Sequence, residues 1–361
     1  MATTRKYRVA VAGGAGVWGA RYLQAYAKHP DCEIVALVDT AAERRMQFAE
    51  YYGIKNEYDS IEDLLSKDTP DIVSGVLPVS AAHDVMIACA ESGVKVVSCE
   101  KPISQKLSLA DEMVSVCSDN GVPFGCGTAM WEVLYLHEIS KWVQDGNIGE
   151  LQSASLPSGL IQQVSGTGCV ALNFLRFLTG MEAAWLEGWT DPEAAAHAND
   201  DCSAYGRLGM SGGIVCTIPS SDEIAEPRGA AVSLIGSAGR IWLYRGDAII
   251  IKGTGADASP VGLEFMDRPR EGRTDSFRYR IESLMQACET GRDPLCSGHD
   301  YRQVLEIAVA LKLSACEGHK RIYLPLQDRD HLLKPRPWRL LGGDVAGWDE
   351  VGRTPRIYEE D

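Results

Sequence analysis

The sequence lacks the marks of a nucleic-acid binder, a disulfide scaffold or a membrane span. Basic residues are in deficit: 35 Lys and Arg stand against 50 Asp and Glu, a formal net charge of -15. Non-specific nucleic-acid binding neutralises phosphates with cations, so this balance argues against a nucleic-acid partner. None of the eleven cysteines forms a CxxC pair, and several lie in apolar runs such as the one around Cys216. That pattern reads as buried, reduced thiols in a reducing compartment. No stretch reaches the roughly 20 apolar residues that cross a bilayer. The N-terminal run MATTRKYRVAVAGGAG passes straight into glycines rather than a cleavage site. A cytoplasmic protein without a membrane partner is expected. HExxH and comparable ligand spacings are also missing, so no metal is expected.

What is present is ordinary globular chemistry on a two-domain scale: 361 residues, 45% hydrophobic and 24% charged. As far as residue 125, short apolar runs alternate with helical segments of about 10 residues, which predicts a parallel sheet covered on both faces. Strands are expected at 7–12, 33–38, 71–76, 95–98 and 122–126. Helices are expected at 18–28, 41–51, 61–65, 81–92 and 107–119. Beyond 126 the pattern changes. Helices at 131–144 and 170–178 precede alternating stretches at 183–190, 202–208, 213–218, 230–235, 239–244 and 248–250. These predict a large open, mainly antiparallel sheet, followed by helices at 277–289 and 301–317. The fold class is therefore α/β, with domains at 1–125 and 126–327. A tail at 328–361 shows no convincing period and reads either as a local cover or as an arm on a neighbouring subunit or cleft.

Gly14-Ala15-Gly16-Val17-Trp18-Gly19 is a GxGxxG placed directly after the first strand and opening a helix. Gly14 is assigned the tight turn, Gly16 the close approach of a pyrophosphate, and Gly19 the close helix–strand packing. Phosphates sit well on such a helix N-terminus. Asp39 follows at the end of the second strand, where a carboxylate accepts from ribose hydroxyls and repels a 2′-phosphate. The expected cofactor is NAD rather than NADP. Arg44 and Arg45 stand close enough in sequence to weaken that preference.

Cys99-Glu100-Lys101-Pro102 after the strand VKVVS, with His83 upstream, resembles the glucose–fructose oxidoreductase/inositol dehydrogenase family, Gfo/Idh/MocA. Gly146-Asn147-Ile148-Gly149, Asp200-Asp201, Ser297-Gly298-His299-Asp300 and the closing segment Ile322–Pro325 add to the resemblance, which spans about residues 5 to 325. It implies a Rossmann domain followed by an α/β domain whose open sheet builds a homo-oligomer, a dimer or tetramer. It implies redox chemistry on a hydroxyl of a sugar, sugar acid or cyclitol. It also implies dinucleotide contacts from Gly14, Ala15, Gly16, Val17, Trp18, Asp39, Thr40, Leu77, Pro78, His83, Glu100 and Lys101. Lys101, in a turn at a strand end, is the candidate for moving the hydroxyl proton.

The sequence departs from the family pattern D-x-G-x-H-x-x-D. Gly168 is kept, but Val170 stands where the histidine belongs and Asn173 where the second aspartate belongs. Valine exchanges no proton, and asparagine only hydrogen-bonds. Lys101 and Asn173 are thus the catalytic candidates, with Trp131 and Gln162 as further substrate contacts. Trp131 also reads as a buried helix start, and His197 as either a replacement base or a solvent loop residue. Three readings stay open: an NAD-dependent oxidoreductase with Lys101 as main acid/base, an NAD-recycling lyase or epimerase, and a non-catalytic dinucleotide-binding regulator.

Overall fold

The computed structural model describes residues 6–127, 136–220, 229–244, 247–267, 273–294 and 296–358. The chain divides into two compact units. The first joins Met1–Thr128, Glu271–Arg302 and Arg336–Asp361; the second joins Ala129–Arg270 and Gln303–Pro335.

The first unit opens with β1 (Tyr7–Ala12), α1 (Gly19–Lys28), β2 (Cys32–Val38), α2 (Ala42–Tyr52), β3 (Glu57–Tyr58) and α3 (Ile61–Lys67). It continues with β4 (Ile72–Gly75), α4 (Val79–Glu91), β5 (Val96–Cys99), α5 (Leu107–Asp119) and β6 (Phe124–Cys126). The strands pair in parallel in the order β3-β2-β1-β4-β5-β6. Helices cover both faces, so the central strands are continuous apolar runs and β4 and β5 are buried along their whole length. The polar groups they carry are satisfied: Tyr26 and Ser74 share a buried hydroxyl hydrogen bond of 2.8 Å. β3 is not among the expected strands. Its two residues pair with Leu37 and Val38, too short a span for any periodicity to register.

The second unit contains α6 (Leu136–Gln144), β7 (Leu151–Ser155), α7 (Cys169–Thr179), β8 (Ala183–Asp191), β9 (Ser203–Met210) and β10 (Val215–Ile218). Then come β11 (Ala230–Gly236), β12 (Gly239–Tyr244), β13 (Asp247–Lys252) and β14 (Ser259–Pro260). The chain returns to the first unit through α8 (Arg273–Thr290). The next helix, α9 (Gly298–Cys316), starts in the first unit and ends in the second, where β15 (Ile322–Tyr323) follows. Short helices α10 (Pro337–Leu341), α11 (Gly343–Ala346) and α12 (Trp348–Val351) end the described chain in the first unit.

The sheet of the second unit runs β14-β13-β12-β11-β7-β10-β9-β8-β15. Only β7 and β10 pair in parallel; the other described pairs are antiparallel. β7 is a strand the apolar pattern does not reveal. Its sequence LQSAS is mostly polar, and it is held as a strand by neighbours on both sides.

Register separates the two faces. One cross-strand row, Ile250, Ile241, Leu234, Ala154, Cys216, Leu208 and Leu186, is buried throughout. The row on the opposite face is Ile249, Trp242, Ser233, Ser155, Thr217, Arg207 and Glu187. The outer face is thus apolar at one end, hydroxyl-lined in the middle and charged at the other, rather than evenly apolar. On the buried face α9 comes very close to β8. A Cβ at Gly188 would sit 2.5 Å from the Leu311 carbonyl oxygen, and the Gly188 N–H donates to Ser314 Oγ at 2.8 Å. Gly188→Ala is expected to destabilise the protein by about 1–3 kcal/mol, the range for overpacking. Urea denaturation against the parent measures this, and an unchanged midpoint would show that the backbone yields freely there.

Candidate functional site

Parallel strands end at one edge, and ligands of open sheets collect where the strand order reverses. Here that point is β1, flanked by β2 and β4. The turn after β1 is tighter than the motif alone conveys. Gly13, just ahead of the GxGxxG, takes the left-handed conformation (φ 74°), and a Cβ there would lie 2.3 Å from the Val76 carbonyl oxygen. Gly14, assigned the turn from sequence, instead makes room for Leu37, whose Cδ1 would be 2.3 Å from a Cβ. Gly19 packs as expected: a Cβ would be 2.1 Å from the Gly13 oxygen. Gly16 is different. Its nearest neighbour is the Gly13 oxygen at 3.4 Å, so its outer side stays open. No side chain caps α1, and the Ala20 and Arg21 N–H groups already donate to the Gly16 and Trp18 carbonyls, so a phosphate would be met by the turn just ahead of them. These features fit a dinucleotide pyrophosphate.

Asp39 stands beyond β2. Its Oδ2 accepts from the Ala15 N–H and its Oδ1 from the Ala41 N–H, each at 2.9 Å. Thr40 next to it is exposed. Burial lifts the Asp39 carboxyl above the ordinary carboxylate value, and the two N–H donations and the Arg44 charge only partly offset this. Arg45, which the sequence left near a phosphate, donates to Glu57 Oε2 at 3.0 Å and to the Asp39 carbonyl.

The turn after β5 carries Glu100, Lys101 and Pro102. Glu100 N–H donates to the Gly75 carbonyl at 3.2 Å, and its Oε1 accepts from the Tyr22 hydroxyl at 2.6 Å. Arg280 of α8, fully enclosed, belongs to the same charge cluster. Burial opposes its charge, and Tyr22, Cys296 and Glu100 outweigh that. Its Nη1 donates to the Cys296 carbonyl at 3.3 Å, while Nε and Nη2 are buried without a partner. Tyr22, with burial first and Glu100 second, titrates well above its ordinary value and stays a donor. Neither Tyr22 nor Arg280 was found from sequence. Tyr22 looks like one more apolar-face residue of its helix, and Arg280 lies 180 residues away from the turn it serves. Lys101 itself is half-buried. Leu77 and Pro78, after β4, share the same sheet edge and are half-buried. His83 faces elsewhere: its ring nitrogens bond Asp84 at 2.7 Å and Glu112 at 3.0 Å, bridging α4 and α5.

In the second unit, Val164–Gly168 forms a single π-turn leading into α7. Asp201 anchors it, accepting from the Val164 and Ser165 N–H groups at 3.0 Å each and from Ser165 Oγ at 2.7 Å. Val170 and Asn173 follow on α7, both buried. Asn173 Oδ1 accepts from Arg176 Nη1 at 3.1 Å, and Arg176 is fixed by a bidentate pair with Glu182 at 2.6 and 2.7 Å. The amide is thereby oriented, and its Nδ2 is buried without a partner. Gln162 is exposed, with φ 69° and its N–H on Ser203 Oγ at 2.8 Å. His197 ends an exposed 3-10 turn. Trp131 and Tyr135 lie outside the described residues. Among the described residues no group of His, Cys, Asp and Glu is arranged to hold a metal, and no helix is long and apolar enough to cross a membrane.

Residues 7–128 match the family described as "Oxidoreductase family, NAD-binding Rossmann fold" (GFO_IDH_MocA). That match covers about a third of the chain. An inositol 2-dehydrogenase of Rhizobium meliloti is 24% identical over 322 residues, covering 84% of this chain and 96% of that one. An Agrobacterium radiobacter oxidoreductase, solved with NAD+, L-tartaric acid and magnesium, superposes with a TM-score of 0.69 at 20% identity, covering 88% and 98%. An aldose-aldose oxidoreductase of Caulobacter crescentus, solved with glycerol, gives 0.70 at 21% identity, covering 89% and 100%. The matched stretch is the part of the first unit that holds its parallel sheet and the glycine turn after β1.

The upward shift of Asp39 sets a pH dependence. Protonation relieves a burial cost, so this group's contribution to folding stability is larger below its ordinary pKa and is lost as pH rises through its raised folded value. Ribose acceptance runs the other way, since it needs the carboxylate. NAD affinity is therefore expected to fall on acidification at a pH above the ordinary carboxylate value. Asp39→Asn should bind more weakly at neutral pH by about 1.5–3 kcal/mol, a charged hydrogen bond, and lose that acid limb. Calorimetric titrations across pH 4–7 test this; parallel acid limbs in both proteins would remove Asp39 from ribose recognition.

Proposed function

We propose that the protein is an NAD-dependent oxidoreductase acting on a hydroxyl or keto group of a sugar, glycoside or cyclitol, with Lys101 as the main acid/base. The observation that carries this reading is the position of the Lys101 turn. It ends β5 at the same sheet edge as the open face of Gly16, the Asp39 carboxylate and the Leu77-Pro78 turn. Bound NAD supplies the hydride acceptor or donor. The chain has to orient the carbon, shield it and move one proton. Lys101 is the basic group of that edge whose side chain exchanges a proton, a role guanidinium groups cannot fill. Val170, buried and apolar, supplies no imidazole.

Asn173 supports a neutral, hydroxyl-bearing substrate. With its Oδ1 committed to Arg176, the free Nδ2 is a donor that a hydroxyl or keto oxygen of the substrate satisfies, and buried orphan donors of this kind call for such a partner. Trp131 and Gln162 remain proposed as an aromatic and a polar contact to the sugar. We also infer a homo-oligomer, dimer or tetramer, built on the outer face of the second unit's sheet. Its adhesive part is the Trp242–Ile249 end, where Ile249 is 46% exposed.

Lys101→Met is expected to lower turnover by about 10²–10⁴-fold, the usual contribution of a positioned acid/base, with NAD affinity nearly unchanged. NADH formation during a screen of sugars and cyclitols, followed by steady-state rates, measures it. Full activity of the variant would defeat the assignment. Substrate conversion without net NADH would instead assign an NAD-recycling lyase or epimerase. Light scattering that returns a 39.2 kDa monomer at micromolar concentration would end the oligomer reading.

A further inference from the structure

The segment after Arg336 rejoins the first unit and runs along the edge that carries the dinucleotide residues. Arg339 Nη1 donates to the Lys101 carbonyl at 3.2 Å. Gly342 approaches Pro78 so closely that a Cβ would sit 2.9 Å from the proline ring. Arg353 lies over the Trp18 ring, 5.6 Å from its centroid. The tail therefore touches the turns after β5, β4 and β1 in succession.

One of its contacts bears on cofactor choice. Arg44 Nε donates to the Ala15 carbonyl at 3.2 Å, and the N–H of the same alanine is held by Asp39 Oδ2. The guanidinium thus lies next to the carboxylate that the glycine motif assigns to the ribose. Its two terminal nitrogens are taken up by Asp344 of α11: Nη1 meets Oδ1 at 2.8 Å and Nη2 meets Oδ2. Asp344 is in turn held by Trp348, whose Nε1 donates to its Oδ1 at 3.0 Å. The indole packs against Gly343, where a Cβ would lie 2.3 Å from the ring. Asp39 feels both neighbours, Arg44 favouring its charge and Asp344 opposing it.

We propose that Asp344 is a cofactor-specificity residue: by holding Arg44 in a bidentate pair, it withholds that guanidinium from the 2′-phosphate of NADP. Bidentate guanidinium–carboxylate geometry is the same fork that would otherwise grip a phosphate. The trio Asp39, Arg44 and Asp344 carries one net negative charge, and removing Asp344 brings it to zero while freeing the fork. The pair is solvent-facing, with side-chain exposures of 26% and 48%, so it adds little to folding stability. Its effect is on the ligand. This inference rests on the NAD reading above.

The test compares NAD+ and NADP+ affinities, by calorimetry, for the full-length protein, Asp344→Ala, Asp344→Asn and Asp344→Ala/Arg44→Ala. Asp344→Asn keeps an acceptor for Trp348 and guards against a folding defect in the alanine variant. NADP+ is expected to bind on the order of tenfold tighter to both single variants, the scale of one charge-assisted hydrogen bond. NAD+ affinity should change by less than about threefold, and the gain should vanish in the double variant. Unchanged NADP+ affinity in both single variants, with NAD+ binding intact, overturns the role of Asp344. A gain that persists without Arg44 overturns it too. A parent protein that binds neither dinucleotide overturns the proposed function itself, and is told apart from these by the NAD+ titration.

Discussion

The Glu100 side chain, half-buried behind the turn that presents Lys101, organises that sheet edge. Glu100 takes the Tyr22 hydroxyl from α1, lies in the field of the enclosed Arg280 from α8, and ties its own backbone to β4. Removing one member of such a cluster strands the others, which is far more costly than the cluster's net contribution to stability. Three stretches of sequence distant from one another are thereby locked to the single turn that presents Lys101. Backbone precision at that turn is a by-product of electrostatic neutrality behind it.

The Rossmann frame was legible because each of its rules is local. Continuous apolar runs of four to six residues mark strands buried on both faces, and the glycine motif sits where a strand meets a helix. Legibility failed where the cause is nonlocal. β7 is a strand because of its neighbours and not because of LQSAS. Gly13 takes the turn because the Val76 carbonyl, just beyond β4, leaves no room for a side chain. Arg280 and Tyr22 carry no motif at all. At His83 the family resemblance implies a cofactor contact, and the ring nitrogens also bond Asp84 and Glu112 on helix faces, which no local pattern announces.

The glycines and the tail act on the same edge in opposite ways. At Gly16 an absent side chain leaves space, whereas at Arg44 a present one is neutralised by a partner some 300 residues later. Selectivity for a ligand is a difference between affinities, and occupying an unwanted cation achieves it as surely as adding a contact to the wanted ligand. In the second unit, Arg176, held by Glu182, orients the Asn173 amide by donating to its Oδ1.

The first unit is assembled from three separated pieces of chain, and its second and third pieces follow most of the second unit in the sequence. A ribosome delivers β1 to β6 early, then β7 to β14, then α8 with Arg280, and after α9 and β15 the tail with Asp344. Through most of translation the nascent Rossmann sheet holds Glu100 without its cation and Arg44 without its acid. The first unit thus completes these contacts only after most strands of the second unit have been made, whatever the order in which its core can collapse.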